Sequence, residues 1–112
     1  MPALDQALSQ INRDEIVELA KRLIRVPSVT GEEKHIILLA RDIIEGLGVD
    51  TRLYGPEERP ILTATINPEA KRLLAFNGHL DTVPIASRDA WQTDPYDPSS
   101  SATPSPVGGV AT

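Results

Sequence analysis

The sequence predicts an α/β fold, two N-terminal helices packed on a small sheet of about three strands. Three observations carry that expectation. Two stretches place apolar residues at helical spacing behind capping signals, three short runs are strand-like in composition, and Pro and Gly punctuate the joins. The chain has 112 residues and reads as one domain over residues 1–98 with a tail at 99–112. A chain of this length can bury a real core, although roughly a third of its unfolded surface stays exposed.

The lead-in Met1 to Gln10 is weakly patterned, a frayed segment or a short helical turn. The first clear helix begins after Asn12, a capping residue with Glu15 three positions on, and carries Ile16, Leu19, Ala20, Leu23 and Ile24 as one apolar stripe. Pro27 ends it and pushes Val26 toward extended geometry. Thr30-Gly31-Glu32-Glu33 reads as a second capping box, opening a helix that buries Ile36, Ile37, Ala40, Ile43, Ile44 and Leu47. Gly48 suits the left-handed residue that closes such a helix. Val49 to Tyr54 alternates as a strand, 55–60 is a loop, and Ile61 to Ile66 is a second strand. Asn67-Pro68-Glu69 turns the chain into a more uniformly apolar third strand, Leu73 to Gly78, expected to be the central one. The tail 99–112 contains only Ser, Ala, Thr, Pro, Val and Gly, with no apolar period, and is expected to be disordered.

Composition excludes several classes. A net charge of −5 argues against nucleic acid as a partner, because phosphate binding needs a basic face. With no cysteine, disulfides and thiolate zinc sites are impossible, so any metal must be held by His, Asp or Glu. The longest apolar run, Ile36 to Ala40, falls far short of the ~18 residues a membrane span requires. The start of the chain lacks the pattern of a signal peptide, and the expected location is the cytoplasm.

Chemistry concentrates in Gly78-His79-Leu80-Asp81. In extended backbone, residues two apart share a face, so His79 and Asp81 meet while Leu80 turns toward the core. A carboxylate beside an imidazole can accept its spare N–H and fix its tautomer, the arrangement metal-binding histidines usually have. Gly78 leaves room for a ligand or a second backbone, and Pro84 stops further ladder pairing. Taken alone, His-x-Asp is a weak signal.

Other candidates have plainer readings. Glu32 and Glu33 complement a helix N-terminus. His35 reads as a surface or partly buried structural histidine, Trp91 as a packing anchor, and Asp94 and Asp97 as turn formers. Gly108-Gly109 lacks the context of a phosphate loop, and no serine-nucleophile elbow is present.

The string Leu74-Ala75-Phe76-Asn77-Gly78-His79-Leu80-Asp81-Thr82-Val83-Pro84 closely resembles the first metal motif of the acetylornithine deacetylase and succinyl-diaminopimelate desuccinylase family. Arg25 to Glu33 is similar to that family's segment between its first two helices, and Trp91 with Asp94-Pro95-Tyr96 resembles its following loop. The resemblance covers about residues 12 to 98 and implies a partial three-layer zinc-peptidase catalytic domain. It implies that His79 ligates one of two zinc ions, for which cobalt can substitute, and that Asp81 acts in catalysis by orienting His79. It implies hydrolysis of an N-acyl amino acid or peptide amide by a water activated between the paired metals.

The family continues with a Gly-Arg-Gly-x-x-Asp segment, a Glu-Glu pair and further ligands, none of which stands in this sequence. One histidine does not hold a catalytic zinc, which takes three protein ligands and a water. The expectation is therefore an incomplete copy, inactive alone, with the change after Pro98 marking a frameshift or premature stop. The alternative is a non-catalytic remnant or small binding module without a functional metal centre.

Overall fold

In the computed structural model, residues 1–98 are described, and the expected disorder at 99–112 lies outside them. Three helices and a two-stranded hairpin make up the regular structure. Helix α1, Pro2–Ser9, forms where the sequence pattern is weakest. Pro2 opens it with φ already set for a helix, but Leu4 and Leu8 stay exposed, so the helix has no packing partner among the described residues.

Helix α2, Arg13–Ile24, begins as its sequence dictates. Asn12 sits in extended geometry, and its side-chain oxygen accepts from the amides of Asp14 at 3.0 Å and Glu15 at 3.2 Å. Acidic residues in the first turn and Lys21 and Arg22 in the last match the helix dipole. Its apolar stripe is only partly used. Leu23 and Ile24 are half-buried, whereas Ile16 and Leu19 are exposed.

Helix α3, Lys34–Gly46, lies against α2 and the hairpin. It does not start through the expected capping box. Glu33 holds the cap position with no side-chain capping bond, and Thr30 lies further back in a turn closed by the Glu32 amide on the Val29 carbonyl at 2.8 Å. Gly31 stands third in that turn at φ +99°, which a first helical residue cannot adopt and which glycine takes without cost. At the far end Gly48 is left-handed at φ +82°, as expected.

Strands β1, Thr51–Tyr54, and β2, Ile61–Ala64, pair antiparallel with Thr51 opposite Ala64 and Tyr54 opposite Ile61. Charge ties their connecting loop to α3. The Lys34 ammonium lies 2.9 Å from Glu57 and 3.6 Å from Glu58, while Arg59 lies 3.6 Å from Glu33. The Glu57 carboxylate raises the Lys34 pKa above the ordinary lysine value, and Lys34 lowers that of Glu57.

The third strand is not formed. Residues 73–78 carry no regular structure, and Leu73, Leu74 and Phe76 project into solvent, Phe76 with 91% exposure. A strand apolar on both faces needs neighbours along both edges and cover on both faces. The hairpin is β1 paired with β2 alone, so the sheet has two strands among the described residues. The core is correspondingly thin. Ile36, at 4% exposure, is the one buried hydrophobic side chain among the described residues, against the expectation of a real core. No helix among the described residues is long and apolar enough to cross a membrane.

Candidate functional site

The candidate site is built where two distant segments meet. Residues 28–30, in the bend between α2 and α3, run parallel to residues 80–82 through an isolated bridge between Val29 and Thr82. The Thr82 amide donates to the Ser28 carbonyl at 2.9 Å, and the Thr30 amide donates to the Thr82 carbonyl at 3.1 Å. Ser28, at 2% exposure, donates its hydroxyl to the Leu80 carbonyl at 2.7 Å. These bonds hold the backbone on both sides of Asp81.

His79 and Asp81 meet as two-residue alternation requires. His79 Nδ1 lies 2.8 Å from Asp81 Oδ1 and 3.2 Å from the Asp81 carbonyl oxygen. An ionised carboxylate only accepts, so the nitrogen facing it carries the proton. In the neutral ring Nε2 then holds the free lone pair, and no group among the described residues bonds it. The ring is 71% exposed while Asp81 is 30% exposed, so the pair stands at the surface with its carboxylate inward.

The second carboxylate oxygen is also held. Thr30 donates its hydroxyl to Asp81 Oδ2 at 2.7 Å, with the Thr82 carbonyl a longer 3.3 Å away. That bond is the leading reason the Asp81 carboxyl is held below its ordinary value. Partial burial opposes it, and the His79 ring adds to it.

Sequence reasoning located His79 and Asp81 but assigned Thr30 to a helix cap and gave Ser28 no role. The available signal was Thr30-Gly31. A glycine suited to the third position of a tight turn competes with the capping reading and frees the threonine hydroxyl. Gly78 leaves open space, since a Cβ built there meets nothing within 4 Å, so no close backbone approach is made at that position among the described residues.

The remaining candidates stay outside the pair. His35 is exposed on the first turn of α3. Glu33 reaches toward Arg59 and does not cap. Trp91 is half-buried after the 3-10 turn Arg88–Ala90. Asp94 forms a turn as expected, its carboxylate accepting from the Tyr96 amide at 2.9 Å and from Arg88 at 3.0 Å.

The donor set fits one bond to a metal. Among the described residues, no group of three or more His, Asp or Glu side chains stands together to hold an ion. A catalytic zinc takes three protein ligands, so these residues alone do not fit one.

Comparison with known proteins bears on the family. The chain is 38% identical over 81 residues to a succinyl-diaminopimelate desuccinylase of Cereibacter sphaeroides, covering 71% of this chain and 21% of that protein. It is 36% identical over 87 residues to the enzyme of that name from Buchnera aphidicola, covering 74% of this chain and 22% of the relative. With the Shewanella piezotolerans protein of the same name it shares 30% identity over 96 residues, 81% of this chain and 24% of the relative. The chain thus spans about a fifth of the length of the curated relatives it matches. No family model matches it, and no solved structure does. Across the shared segment, the chain is homologous to curated succinyl-diaminopimelate desuccinylases at 30–38% identity.

Proposed function

We propose that the chain supplies one metal ligand and its orienting carboxylate to the site of a zinc-dependent amide hydrolase acting on an N-acyl amino acid. The observation that carries the reading is the His79–Asp81 pair. The carboxylate accepts the hydrogen bond of Nδ1–H at 2.8 Å and leaves Nε2 as a donor atom. A bound zinc would supply Lewis-acid polarisation of the amide carbonyl and of a water. In this reading His79 offers its lone pair through Nε2, and Asp81 holds the ring proton and sets the ring plane. The names of the relatives point to an N-succinyl amino acid as the substrate class. Among the described residues no further His, Asp or Glu joins His79 to complete such a site.

The test is a zinc titration of the full chain followed on the imidazole resonances, beside an assay for release of succinate or acetate from N-acyl amino acids. Weak zinc binding seen at His79 Nε2 and lost in His79→Ala, with no turnover, is the expected outcome. Zinc that leaves the His79 ring untouched would refute the ligand role and favour a small module without a metal centre. Stoichiometric zinc with turnover would refute the incompleteness of the site.

A further inference from the structure

We propose that Thr30 is a positioning residue of this site: its hydroxyl pins the Asp81 carboxylate so that His79 keeps its proton on Nδ1 and presents Nε2 as a lone pair. The inference rests on the reading of His79 as a ligand through Nε2 and adds the group that makes that tautomer dominant.

An aspartate carboxylate is free to turn unless it is held. Rotation about its last side-chain bond is broad and roughly two-fold, so a carboxylate held by one oxygen can swing. Here both oxygens are engaged, Oδ1 by His79 at 2.8 Å and Oδ2 by Thr30 at 2.7 Å. The Thr30 hydroxyl has a single proton and two acceptors within reach. Asp81 Oδ2 is the nearer and the charged one, and the Thr82 carbonyl at 3.3 Å already accepts the Thr30 amide. A charge-assisted bond is the stronger of the two.

Thr30 is itself fixed from the backbone. The parallel bridge at Val29 and Thr82 sets its distance from Asp81, and Gly31 at φ +99° turns the chain away immediately after it. The exposure of the ring makes this matter. At 71% exposure water can serve either ring nitrogen, so the tautomer is decided by how well the carboxylate is held.

The test reads the tautomer by nitrogen NMR of the metal-free, isotope-labelled full chain. His35, exposed and remote in the sequence, serves as the internal control. Wild type should show a protonated Nδ1 and an unprotonated Nε2 at His79. Thr30→Val keeps the shape and removes the donor, and both His79 nitrogens should shift toward the averaged values of a mixed population while His35 does not move. Thr30→Ser should restore the wild-type pattern. If Thr30→Val folds and leaves His79 unchanged, the Asp81 carbonyl at 3.2 Å suffices and the proposal falls. Should Thr30→Val not fold, Thr30→Cys is read instead. Its weak thiol donor should lose the pattern that Thr30→Ser keeps, and retention would overturn the proposal equally. Zinc is added only afterwards. A fixed tautomer with no response of Nε2 to zinc would leave the role of Thr30 standing and remove the ligand reading.

Discussion

Removing the hydroxyl of Ser28 should loosen the site selectively. Ser28→Ala deletes the 2.7 Å bond to the Leu80 carbonyl from a residue that is 2% exposed, while the backbone bridge to Thr82 stays possible. A hydrogen bond of this kind contributes about 0.5–1.5 kcal/mol net, and a carbonyl stranded away from water costs about 1–3 kcal/mol. Leu80 is only half-buried, so its carbonyl can regain water and the cost belongs near the overlap of those ranges. We take about 1.4 kcal/mol, a tenfold change in an equilibrium constant. With one buried hydrophobic side chain among the described residues, the global transition is a poor reporter, and local opening is the quantity to read. Amide hydrogen exchange provides it. Protection of the Thr82 and Thr30 amides, which donate across the bridge, should fall about tenfold together, with amides in the middle of α2 unchanged. Unchanged protection at Thr82 would refute the clamp, and an equal fall everywhere would show that Ser28 serves overall stability instead.

Other consequences are as direct. Gly31→Ala should weaken the turn before α3 by about 1–2 kcal/mol, because L-residues resist positive φ. A Cβ there meets nothing within 4 Å, so the cost is conformational rather than steric, and unchanged protection of the Glu32 amide would contradict it. For acid behaviour the sign is fixed. Asp81 is held below its ordinary value of 3.8, so its contribution is complete above that pH and is lost as pH falls through the lower folded value. Proton NMR should therefore place the Asp81 midpoint higher in Thr30→Val than in wild type, and equal midpoints would remove the hydroxyl as the main cause. Finally, Leu73, Leu74 and Phe76 form an exposed apolar run, unpaired among the described residues, that should drive self-association at high concentration. Phe76→Asp should reduce it in sedimentation velocity, and a wild-type chain that stays monomeric would show that the run is not adhesive.

The legible parts of the fold are those governed by local rules. Asn12 caps α2 because its side chain reaches amides two and three residues on, and Gly48 closes α3 because its backbone tolerates positive φ. The hairpin followed from two β-rich runs and the turn-forming loop between them. Helix α1 was only weakly legible because it is short, and its leucines at helical spacing stay exposed among the described residues. The third strand failed for the opposite reason. Leu73 to Gly78 has the right composition, but a strand exists only through partners on other segments, and composition does not reveal whether those are present.

The site divides in the same way. The sequence by itself determined that His79 and Asp81 meet, because alternation in extended backbone is a two-residue property, and the string around them carried the resemblance to the desuccinylases. Only the tertiary structure decided that Ser28 and Thr30 are the groups holding that pair. The bond from Thr30 to Asp81 joins residues 51 apart, and the turn at Gly31 that frees the hydroxyl competes with an equally plausible helix cap. Contacts between segments this distant depend on how the chain folds back on itself, which no local pattern encodes.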